Sequence, residues 1–383
     1  MLIKRPSIRI LHVVGGMNRA GTETWLMHVL RNIDRDRFQI DFMVHTDQPC
    51  PYDDEIQALG SQIIPCLCPS KPWLYAWNFK RILREKGPYD IVHSNVHHFS
   101  GYVLWLAKQV RVPIRIAHSH NDTSEVDARV NFLRRIYLNL MKKAISSSAT
   151  LNLAASSLAG SSLFSQNGSK NSHWQVLYFG VDLTPFKTPG DGLILRQEIG
   201  IPDDAFVVGH AGRFIEQKNH LFLLEIAAAV VKEKPLTRFL LIGDGALRSV
   251  IEAKIQQLGL TPYVILAGLR SDVPQLMQSV MDVFLLPSFH EGLPVVGIEA
   301  QAAGLPFVLS DVITEELDLV KPLIKRLSLS QSASEWAKAV VESPSLKSLY
   351  TPVESLTSME NSHFNIAYSV QELTKIYDSQ QNK

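Results

Sequence analysis

The sequence predicts an α/β protein made of two doubly wound domains. Its 383 residues exceed the length that a single hydrophobic core usually supports. Short apolar runs of strand length alternate with helical patterns, which is typical of βαβ units that build a parallel sheet covered on both faces. This alternation stops once, in a stretch rich in Gly, Pro and Asp, and then starts again. Each half of the chain is therefore expected to fold around its own sheet.

The first predicted domain spans residues 1–178, and its strands are apolar runs bounded by polar or turn residues. These runs lie at residues 8–14, 38–44, 91–93, 114–117 and 150–154. Because a helical pattern follows each run, right-handed crossovers should place the strands parallel to one another. Residues 179–191 have the sequence FGVDLTPFKTPGD, which indicates a linker at the start of the second domain.

The second predicted domain, residues 179–363, repeats the same alternation. Its strand-like runs lie at residues 206–210, 238–242, 264–267, 283–287 and 306–309. The Ser-rich stretch 328–358 has little periodicity apart from a short helical pattern at residues 336–341. Apolar residues at helical spacing predict a closing helix over residues 364–377, within a C-terminal segment 364–383.

Composition excludes several classes of protein. Hydrophobic residues make up 46% of the chain and charged residues 20%, which excludes disordered, collagen-like and coiled-coil chains. No run approaches the roughly 20 apolar residues of a membrane-spanning helix, so any membrane contact should be peripheral. The cysteines Cys50, Cys66 and Cys68 offer neither disulfide-scaffold numbers nor a Cys-x-x-Cys pair, which indicates a cytoplasmic protein. We expect no nucleic-acid partner.

The net charge of +1 conceals an asymmetry between the two halves. Residues 1–180 contain 21 Lys and Arg against 13 Asp and Glu, a charge of +8, whereas residues 181–383 contain 17 against 24, a charge of −7. An anionic ligand or surface would explain the basic half, and so would an ordinary solvated basic face.

One segment in the basic half has an amphipathic pattern. Residues 127–146 place five apolar residues on one helical face, namely Val130, Leu133, Ile136, Tyr137 and Leu140. Four basic residues lie elsewhere on the helix, namely Arg134, Arg135, Lys142 and Lys143. Core packing explains the apolar stripe as well as membrane contact does, and the basic residues favour anionic lipid headgroups.

Candidate site residues should follow the strands, because ligands of open α/β sheets bind beyond the carboxyl ends of the strands. Gly15 and Gly16 follow the first strand and open a helix, where bare N–H groups and the helix dipole favour a phosphate. These glycines do not fit the G-x-G-x-x-G pattern of dinucleotide-binding proteins. A dehydrogenase is therefore disfavoured, although Asp47 near the second strand could mimic a ribose-binding acid.

Arg213 and Lys218 follow the first strand of the second domain. A guanidinium can bind phosphate oxygens with two hydrogen bonds, and an ammonium supplies a compact positive charge. Together they could neutralise a pyrophosphate as it becomes a leaving group. A surface pair flanking the start of a helix is the alternative interpretation.

The segment after residues 283–287 has the sequence SFHEGLPVVGIEA and contains two glutamates eight positions apart. Glu291 precedes a Gly-x-Pro turn, in which Pro294 suits a first helical turn, and Glu299 falls about one turn inside the helix. Glu291 and the backbone N–H groups of residues 292–295 could bind sugar hydroxyls. Glu299 could accept hydrogen bonds from both hydroxyls of a ribose.

Taken together, these motifs resemble the retaining nucleotide-sugar glycosyltransferases of family 4, which have the GT-B fold. The resemblance covers nearly the whole chain, and its motifs occur in the family's order: Gly15-Gly16, Gly212-Arg213, Lys218-Asn219, Gly243-Asp244-Gly245 and the segment from Glu291 to Glu299. It implies two Rossmann-like domains, an interdomain cleft and a C-terminal helix that crosses back to the N-terminal domain. The sequence RIAHSHN at residues 115–121 is similar to polysaccharide-assembly enzymes.

The resemblance also implies a role for each candidate residue. Arg213 and Lys218 would bind the donor diphosphate, Glu291 the transferred sugar and Glu299 the ribose. Gly16, next to Gly15, would approach the phosphate from the other domain, and His118 would approach the donor sugar, with His120 as the competing candidate. The remaining donor-binding positions would be Leu269, Arg270, Gly292, Leu293, Pro294 and Val295.

Two further features concern the chemistry of transfer. No Asp-x-Asp motif follows a strand, so we expect no metal and no cofactor, with Arg213, Lys218 and backbone donors supplying the positive charge. Glu291 could instead be a nucleophile, as in retaining glycosidases, which would need a second carboxylate about 5–5.5 Å away. The sequence identifies no such partner, and we interpret Glu291 as a binding and electrostatic residue.

The resulting expectation is a glycosyltransferase that moves glucose or glucuronic acid from a UDP-sugar to a lipid-linked or oligosaccharide acceptor in polysaccharide assembly. A nucleotide-sugar epimerase of the same fold is one alternative, and it would alter the donor without an acceptor. A non-catalytic scaffold that binds nucleotide sugars is the other. Turnover of the donor with an acceptor extract would separate the three.

Overall fold

The computed structural model describes residues 7–165 and 173–381, which form two compact units. The first unit contains the chain as far as Gly180 together with the C-terminal segment from Ile366, and the second runs from Val181 to Asn365. Each unit contains one parallel sheet. The predicted boundaries after residues 178 and 363 each lie two residues before the observed ones.

The first unit alternates strands and helices along the chain. Its strands are β1 (Ile8–Val14), β2 (Phe38–Val44), β3 (Ile63–Pro65), β4 (Ile91–Ser94), β5 (Ile114–Ser119), β6 (Leu151–Ala154) and β7 (Gln175–Val176). The helices between them are α1 (Gly21–Asn32), α2 (Asp53–Ala58), α3 (Pro72–Lys86), α4 (Ser100–Gln109), α5 (Ser124–Ala128), α6 (Phe132–Ser148) and α7 (Ser157–Phe164). The strand order is β3-β2-β1-β4-β5-β6-β7.

The second unit repeats this plan. Its strands are β8 (Phe206–Ala211), β9 (Thr237–Ile242), β10 (Val264–Gly268), β11 (Val283–Leu286), β12 (Phe307–Ser310) and β13 (Ile324–Leu327). Its helices are α8 (Gly192–Ile199), α9 (His220–Glu233), α10 (Arg248–Gln257), α11 (Val273–Ser279), α12 (Val295–Ala302), α13 (Ala333–Glu342) and α14 (Pro352–Glu360). The strand order is β10-β9-β8-β11-β12-β13.

Burial explains why the central strands were recognisable as apolar runs. All six residues of β8 and all four of β11 are buried, because helices cover both faces of the sheet. In both units the strand order reverses at the first strand, which pairs with β4 in one sheet and with β11 in the other. Such a reversal opens a crevice at the carboxyl ends of the two strands, where ligands of this fold class bind.

The last helix, α15 (Ile366–Gln381), belongs to the first unit although the second unit precedes it in the chain. Trp25 Nε1 of α1 donates a hydrogen bond to Ser369 Oγ of α15 at 3.2 Å. Tyr377, near the other end of α15, is fully buried. The expected return of a C-terminal helix to the N-terminal domain is therefore confirmed.

Several details differ from the sequence-based expectations. The short strands β3, β7 and β13 and helix α14 were not predicted. The strand predicted over residues 114–117, the fourth of the predicted ones, is the fifth in the structure and extends to Ser119, so His118 lies inside β5 and not after it, and is fully buried. The single helix expected over residues 127–146 is divided at Asn131, whose side chain accepts a hydrogen bond from Arg134 N and so begins α6.

Candidate functional site

The loops after β8, β9 and β10 are joined at the carboxyl edge of the second sheet. Gly212 N donates to Ile242 O at 2.9 Å, and Gly243 N donates to Gly268 O at 2.8 Å. Gly243 has a φ of +139°, and a Cβ on it would lie 2.0 Å from Gly212 O. Only glycine fits there, so the Gly243-Asp244-Gly245 motif lets this loop pack against the Gly212-Arg213 loop.

The central feature of this edge is an ion pair between Lys218 and Glu291. Lys218 Nζ donates to Glu291 Oε1 at 2.6 Å, and the side chains are 13% and 7% exposed respectively. Lys218 ends a short 3₁₀ turn after β8, and Glu291 lies in the loop after β11. Because β8 and β11 are neighbours, the fold brings together two residues that are far apart in the chain.

Gln217 completes the environment of Glu291, and sequence reasoning gave it no role. Its Nε2 donates to Glu291 Oε2 at 3.1 Å and to His290 O at 2.9 Å. Asn219, in the left-handed region at φ 55°, donates from Nδ2 to Pro287 O and fixes the turn against the β11 loop. Both oxygens of Glu291 are thus held, and the signal for Gln217 was its place beside Lys218.

Arg213 differs from Lys218 in having no ion-pair or side-chain hydrogen-bond partner within residues 7–165 and 173–381. It is exposed directly after Gly212, on the same edge of the sheet. Its guanidinium is therefore free to bind an anion with two parallel hydrogen bonds, whereas the Lys218 ammonium already contacts a carboxylate.

Glu299 lies on α12 and is only partly exposed. In the described part of the chain its carboxylate has no hydrogen-bond partner, and burial raises its pKa to about 7. A carboxyl group in this state is close to half ionised at neutral pH. It is available to accept hydrogen bonds that would favour the ionised form.

The four predicted donor-binding residues at the start of α12, Gly292, Leu293, Pro294 and Val295, are all buried. Pro294 was expected in the first turn of this helix, but α12 begins at Val295, so Pro294 directly precedes it. Gly297 N already donates to Pro294 O at 2.9 Å, whereas the preceding N–H groups, of Val295 and Val296, have no partner within the helix. These donors and the positive end of the helix dipole lie at the N-terminal end of α12, which follows Glu291 in the chain.

Leu269 and Arg270 follow β10, two strands away from β8. Leu269 is 53% exposed. The Arg270 guanidinium donates from Nε and Nη2 to the two carboxylate oxygens of Asp272 at 2.7 and 2.6 Å. This pairing raises the pKa of Arg270 and lowers that of Asp272, so both groups stay charged and the positive charge of Arg270 is balanced by Asp272.

Gly15 and Gly16 lie in the first unit, after β1 and before α1 begins at Gly21. A Cβ on Gly16 would lie 3.0 Å from Thr46 Cγ2 and 3.2 Å from Cys50 Sγ, so the loop packs closely against the one after β2. Gly15 is exposed. Their role at a phosphate stays a prediction.

His118 contacts other aromatic and histidine side chains of the first unit. Its Nδ1 lies 3.1 Å from His93 Nε2, and its ring meets Trp25 edge-on at 5.3 Å. Burial and neighbouring imidazoles lower its pKa well below the ordinary value, so it is neutral. His98, by contrast, bonds Asp127 at 2.8 Å. A role for His118 at the donor sugar stays a prediction.

Comparison with known proteins decides the family. A model described as Glycosyltransferase Family 4 matches residues 19–185, and one described as Glycosyl transferases group 1 matches residues 193–345. A putative glycosyltransferase, EpsF of Bacillus subtilis (strain 168), is 37% identical over 335 residues, covering 87% of this chain and 86% of EpsF. The chain belongs to glycosyltransferase family 4.

Two other similar proteins span nearly the full length of this glycosyltransferase. The capsular polysaccharide biosynthesis glycosyltransferase CapH of Staphylococcus aureus is 24% identical over 378 residues, covering 97% of this chain and 99% of CapH. The crystal structure of Anabaena Alr3699/HepE in complex with UDP and glucose matches with a TM-score of 0.81 and 20% identity, covering 97% of this chain and all of that one. The structural likeness shows that both proteins have the GT-B fold.

Helix α6 of the glycosyltransferase carries an exposed apolar stripe. Phe132, Leu133, Ile136 and Leu140 are 75%, 76%, 43% and 56% exposed. Core packing, one of the two explanations of the amphipathic pattern, therefore does not account for these residues. Lys142, in contrast, is partly buried and donates from Nζ to Ser162 O, so it is not part of the outward basic surface.

No helix in residues 7–165 and 173–381 is both long and apolar enough to cross a bilayer. Nor do three His, Cys, Asp or Glu side chains of those residues converge as the ligands of a metal ion would.

Proposed function

We propose that this glycosyltransferase is retaining and metal-independent, and that it transfers a hexose or uronic acid from a UDP-sugar to a lipid-linked or oligosaccharide acceptor. The observation that carries the proposal is the row of charged side chains at the β8 and β11 edge, in which Lys218 bonds Glu291 while Arg213 and Glu299 lack partners among the described residues. HepE was crystallised with UDP and glucose, and CapH is named for capsular polysaccharide biosynthesis. The first supports a UDP-sugar as the donor, and the second supports a role in polysaccharide assembly.

The two cations fit the diphosphate of such a donor. Arg213 is exposed and unpaired within the described chain, so it can bind phosphate oxygens without breaking an existing contact. Lys218 can share its ammonium between Glu291 and a phosphate oxygen, because an ammonium has three donors. Two positive charges at the leaving pyrophosphate are the basis for proposing that no divalent metal is needed.

Glu291 fits the transferred sugar. Each carboxylate oxygen has two acceptor positions, and Lys218 and Gln217 each occupy one position on a different oxygen. The remaining positions can accept hydroxyl hydrogens. Because both oxygens are held by hydrogen bonds, we assign Glu291 to binding and charge stabilisation, and the retaining outcome rests on the family resemblance.

Glu299 fits the ribose diol. Its carboxylate has no partner in the described residues, and burial raises its pKa to about 7, so two hydroxyl donors would stabilise the ionised form. Leu269 would border the base with an exposed apolar surface, and Arg270 would do so while paired to Asp272. The first N–H groups of α12, after Pro294, would bind sugar or phosphate oxygens.

We also propose that α6 contacts an anionic membrane surface. The exposed stripe containing Leu133 and Leu140 would enter the headgroup region, while Arg134, Arg135 and Lys143 are exposed beside it. A lipid surface fits both the apolar and the basic parts of this helix. It would bring the protein to a lipid-linked acceptor at the inner face of the cell membrane.

A donor panel tests the proposed function. The purified protein is incubated with a series of nucleotide sugars and an acceptor extract in the presence of EDTA, and products are separated by mass. We expect transfer from a UDP-sugar, abolished by Arg213→Ala but not by Arg84→Ala, because Arg84 is an exposed residue of α3 outside the proposed sites. Conversion of the donor without acceptor would show an epimerase, and binding of donor without any turnover would show a scaffold.

A further inference from the structure

A cavity of about 310 Å³ lies in the first unit, between helices α5, α6 and α7. Polar residues from all three helices line it, among them Asp127, Arg135, Asn139, Lys142 and Ser161. Its volume is at the lower end of the range for ligand pockets, which is roughly 300–1,000 Å³. None of these residues belongs to the proposed donor site, so the cavity could hold a small ligand of its own.

Two cationic side chains of α6 line the cavity without a counterion. Lys142 Nζ donates to Ser162 O at 2.6 Å, which leaves two of the three donors of its ammonium unused. Arg135 Nη2 reaches only a backbone oxygen, Ala128 O, at 3.5 Å. Neither side chain forms an ion pair with a residue that the structure describes. Burial lowers the pKa of Lys142, and the charge of Asp127 offsets this shift only in part. An anion in the cavity would supply the missing counterion.

The carboxylate of Asp127 also lines the cavity, but other groups hold it. Its Oδ2 accepts hydrogen bonds from Thr123 Oγ1 at 2.9 Å and from His98 Nε2 at 2.8 Å. Burial lowers the pKa of His98, so the imidazole is neutral and adds no charge. Arg135 and Lys142 together exceed Asp127 by one positive charge, and the lining therefore attracts an anion.

The cavity opens beside the exposed apolar stripe of α6. Arg135, Asn139 and Lys142 are spaced four and three residues apart, so they share one face of the helix. The stripe, from Phe132 to Leu140, occupies the neighbouring face. Arg135 and Asn139 are exposed, so the cavity reaches the surface on this side. A group bound in the cavity is therefore next to any hydrocarbon chain that lies along the stripe.

We propose that this cavity binds the phosphate group of a membrane lipid whose hydrocarbon chain lies along the stripe. Arg135 can donate two parallel hydrogen bonds to phosphate oxygens, and Lys142 and the Asn139 amide supply further donors. A phosphate presents several oxygens to these donors, and a lipid supplies the hydrocarbon that covers the stripe. The inference rests on the proposed function, in which the acceptor is lipid-linked. The phosphate belongs either to that acceptor or to an anionic phospholipid of the bilayer.

Calorimetry with soluble probes tests the cavity without turnover. The probes are farnesyl diphosphate, a short-chain phosphatidylglycerol, inorganic pyrophosphate and farnesol, each added in the presence of excess UDP to occupy the donor site. We expect farnesyl diphosphate to bind at least about tenfold more tightly than pyrophosphate, because only the former has a hydrocarbon chain for the stripe. Farnesol, which lacks the phosphate, should also bind more weakly than farnesyl diphosphate.

Substitutions locate the binding of these probes. Lys142→Met should lower the affinity for farnesyl diphosphate by a factor on the order of 10 to 100, the effect of one charge-assisted hydrogen bond. Lys108→Met is the matched control, because Lys108 Nζ also donates to a backbone carbonyl, Ser147 O at 2.7 Å, and does not line the cavity. Arg135→Gln, at an exposed position, gives a second reading if Lys142→Met does not fold. Affinities equal to the wild type in both cavity variants would overturn the proposal.

Kinetics and vesicle binding distinguish the two sources of the phosphate. If it belongs to the acceptor, farnesyl diphosphate competes with the acceptor, and Lys142→Met raises the KM for the acceptor alone. If it belongs to a phospholipid, short-chain phosphatidylglycerol binds as tightly as farnesyl diphosphate, and Lys142→Met reduces sedimentation with vesicles of phosphatidylcholine and phosphatidylglycerol. Either result supports a lipid phosphate in the cavity. Pyrophosphate that binds as tightly as farnesyl diphosphate would show that no hydrocarbon is recognised, and the proposal would be wrong.

Two outcomes separate this inference from the proposed function. If a UDP-sugar is transferred but Lys142→Met and Arg135→Gln change neither the affinity for the probes nor the KM for the acceptor, the inference is wrong and the proposed function stands. If no nucleotide sugar is bound or turned over while the binding of farnesyl diphosphate depends on Lys142, the proposed transfer fails and the lipid-phosphate site stands.

Discussion

The ion pair between Lys218 and Glu291 predicts that the two glutamates of the second unit contribute differently to stability. Glu291→Ala removes the carboxylate that lies 2.6 Å from Lys218 Nζ and leaves a largely buried ammonium without a counterion. Glu299→Ala is the matched control, because this carboxylate has no partner in the described residues. We expect the first substitution to destabilise the unit and the second not to destabilise it.

The magnitude follows from the burial of the pair. Removing one partner of a buried ion pair typically costs about 3–5 kcal/mol, and the 13% exposure of Lys218 puts the expected loss near the lower end, at about 3 kcal/mol. For a domain of this size, that loss corresponds to a fall in Tm of roughly 6–12 °C. Because burial disfavours the ionised form of Glu299, Glu299→Ala should cause no loss of stability at pH 8.

Denaturant unfolding measures the stability of each variant, and calorimetry measures its affinity for UDP. UDP should bind Glu291→Ala at least as tightly as the wild type, because a phosphate can replace the lost carboxylate beside Lys218. UDP at about 100 times its Kd should then restore roughly 2.7 kcal/mol of stability. The double variant Lys218→Met/Glu291→Ala should be no less stable than Glu291→Ala alone.

Two results would refute this reasoning. Equal losses of stability for Glu291→Ala and Glu299→Ala would mean that the ion pair is not what distinguishes them. Loss of UDP binding in a folded Glu291→Ala variant would mean that Glu291 contacts the nucleotide part of the donor.

Four further predictions concern pH, metal and membrane. The pKa of Glu299 is about 7 and its ordinary value is 4.5, so the protonated form favours the fold, and the stability of the second unit should fall as pH rises from 4.5 to 7. The affinity for UDP should rise over pH 6–8, because the ionised carboxylate accepts the ribose hydrogen bonds. In Glu299→Gln the affinity for UDP should not change over this pH range. The pKa values of His12 and His120 are near 3, so the first unit should lose stability as pH falls below 6.5, which denaturant titrations at several pH values would show. UDP should bind equally well with excess EDTA, and calorimetric binding that returns only with Mn²⁺ would contradict this. Leu133→Ser/Leu140→Ser should reduce sedimentation with anionic liposomes without changing UDP affinity, and unchanged sedimentation would exclude α6 as the contact.

The central strands could be predicted from the sequence because their neighbours bury them on both faces. Strands β8 and β11 are short apolar runs for this reason. Edge strands lack that signal: β13 has the sequence IKRL, with an exposed Lys325. The division between α5 and α6 was also missed, because the apolar periodicity continues across Asn131, and the cap depends on its backbone conformation.

The site could be predicted only as a set of residues. Their order after the strands placed Arg213, Lys218 and Glu291 at one edge, but the bond between Lys218 and Glu291 depends on β8 lying beside β11. The pairing of Arg270 with Asp272 could have been predicted from the sequence, because the two residues are only two positions apart. The contact between His93 and His118 could not, because it depends on β4 lying beside β5.

The most direct test of the proposed function is the anomeric configuration of the product formed from a UDP-sugar in the presence of EDTA. Proton NMR of the purified product, compared with the donor, reports this configuration. We expect transfer with the same anomeric configuration as the donor, and loss of that transfer in Arg213→Ala. An inverted product, or transfer that requires an added divalent metal, would contradict the proposed retaining, metal-independent reaction.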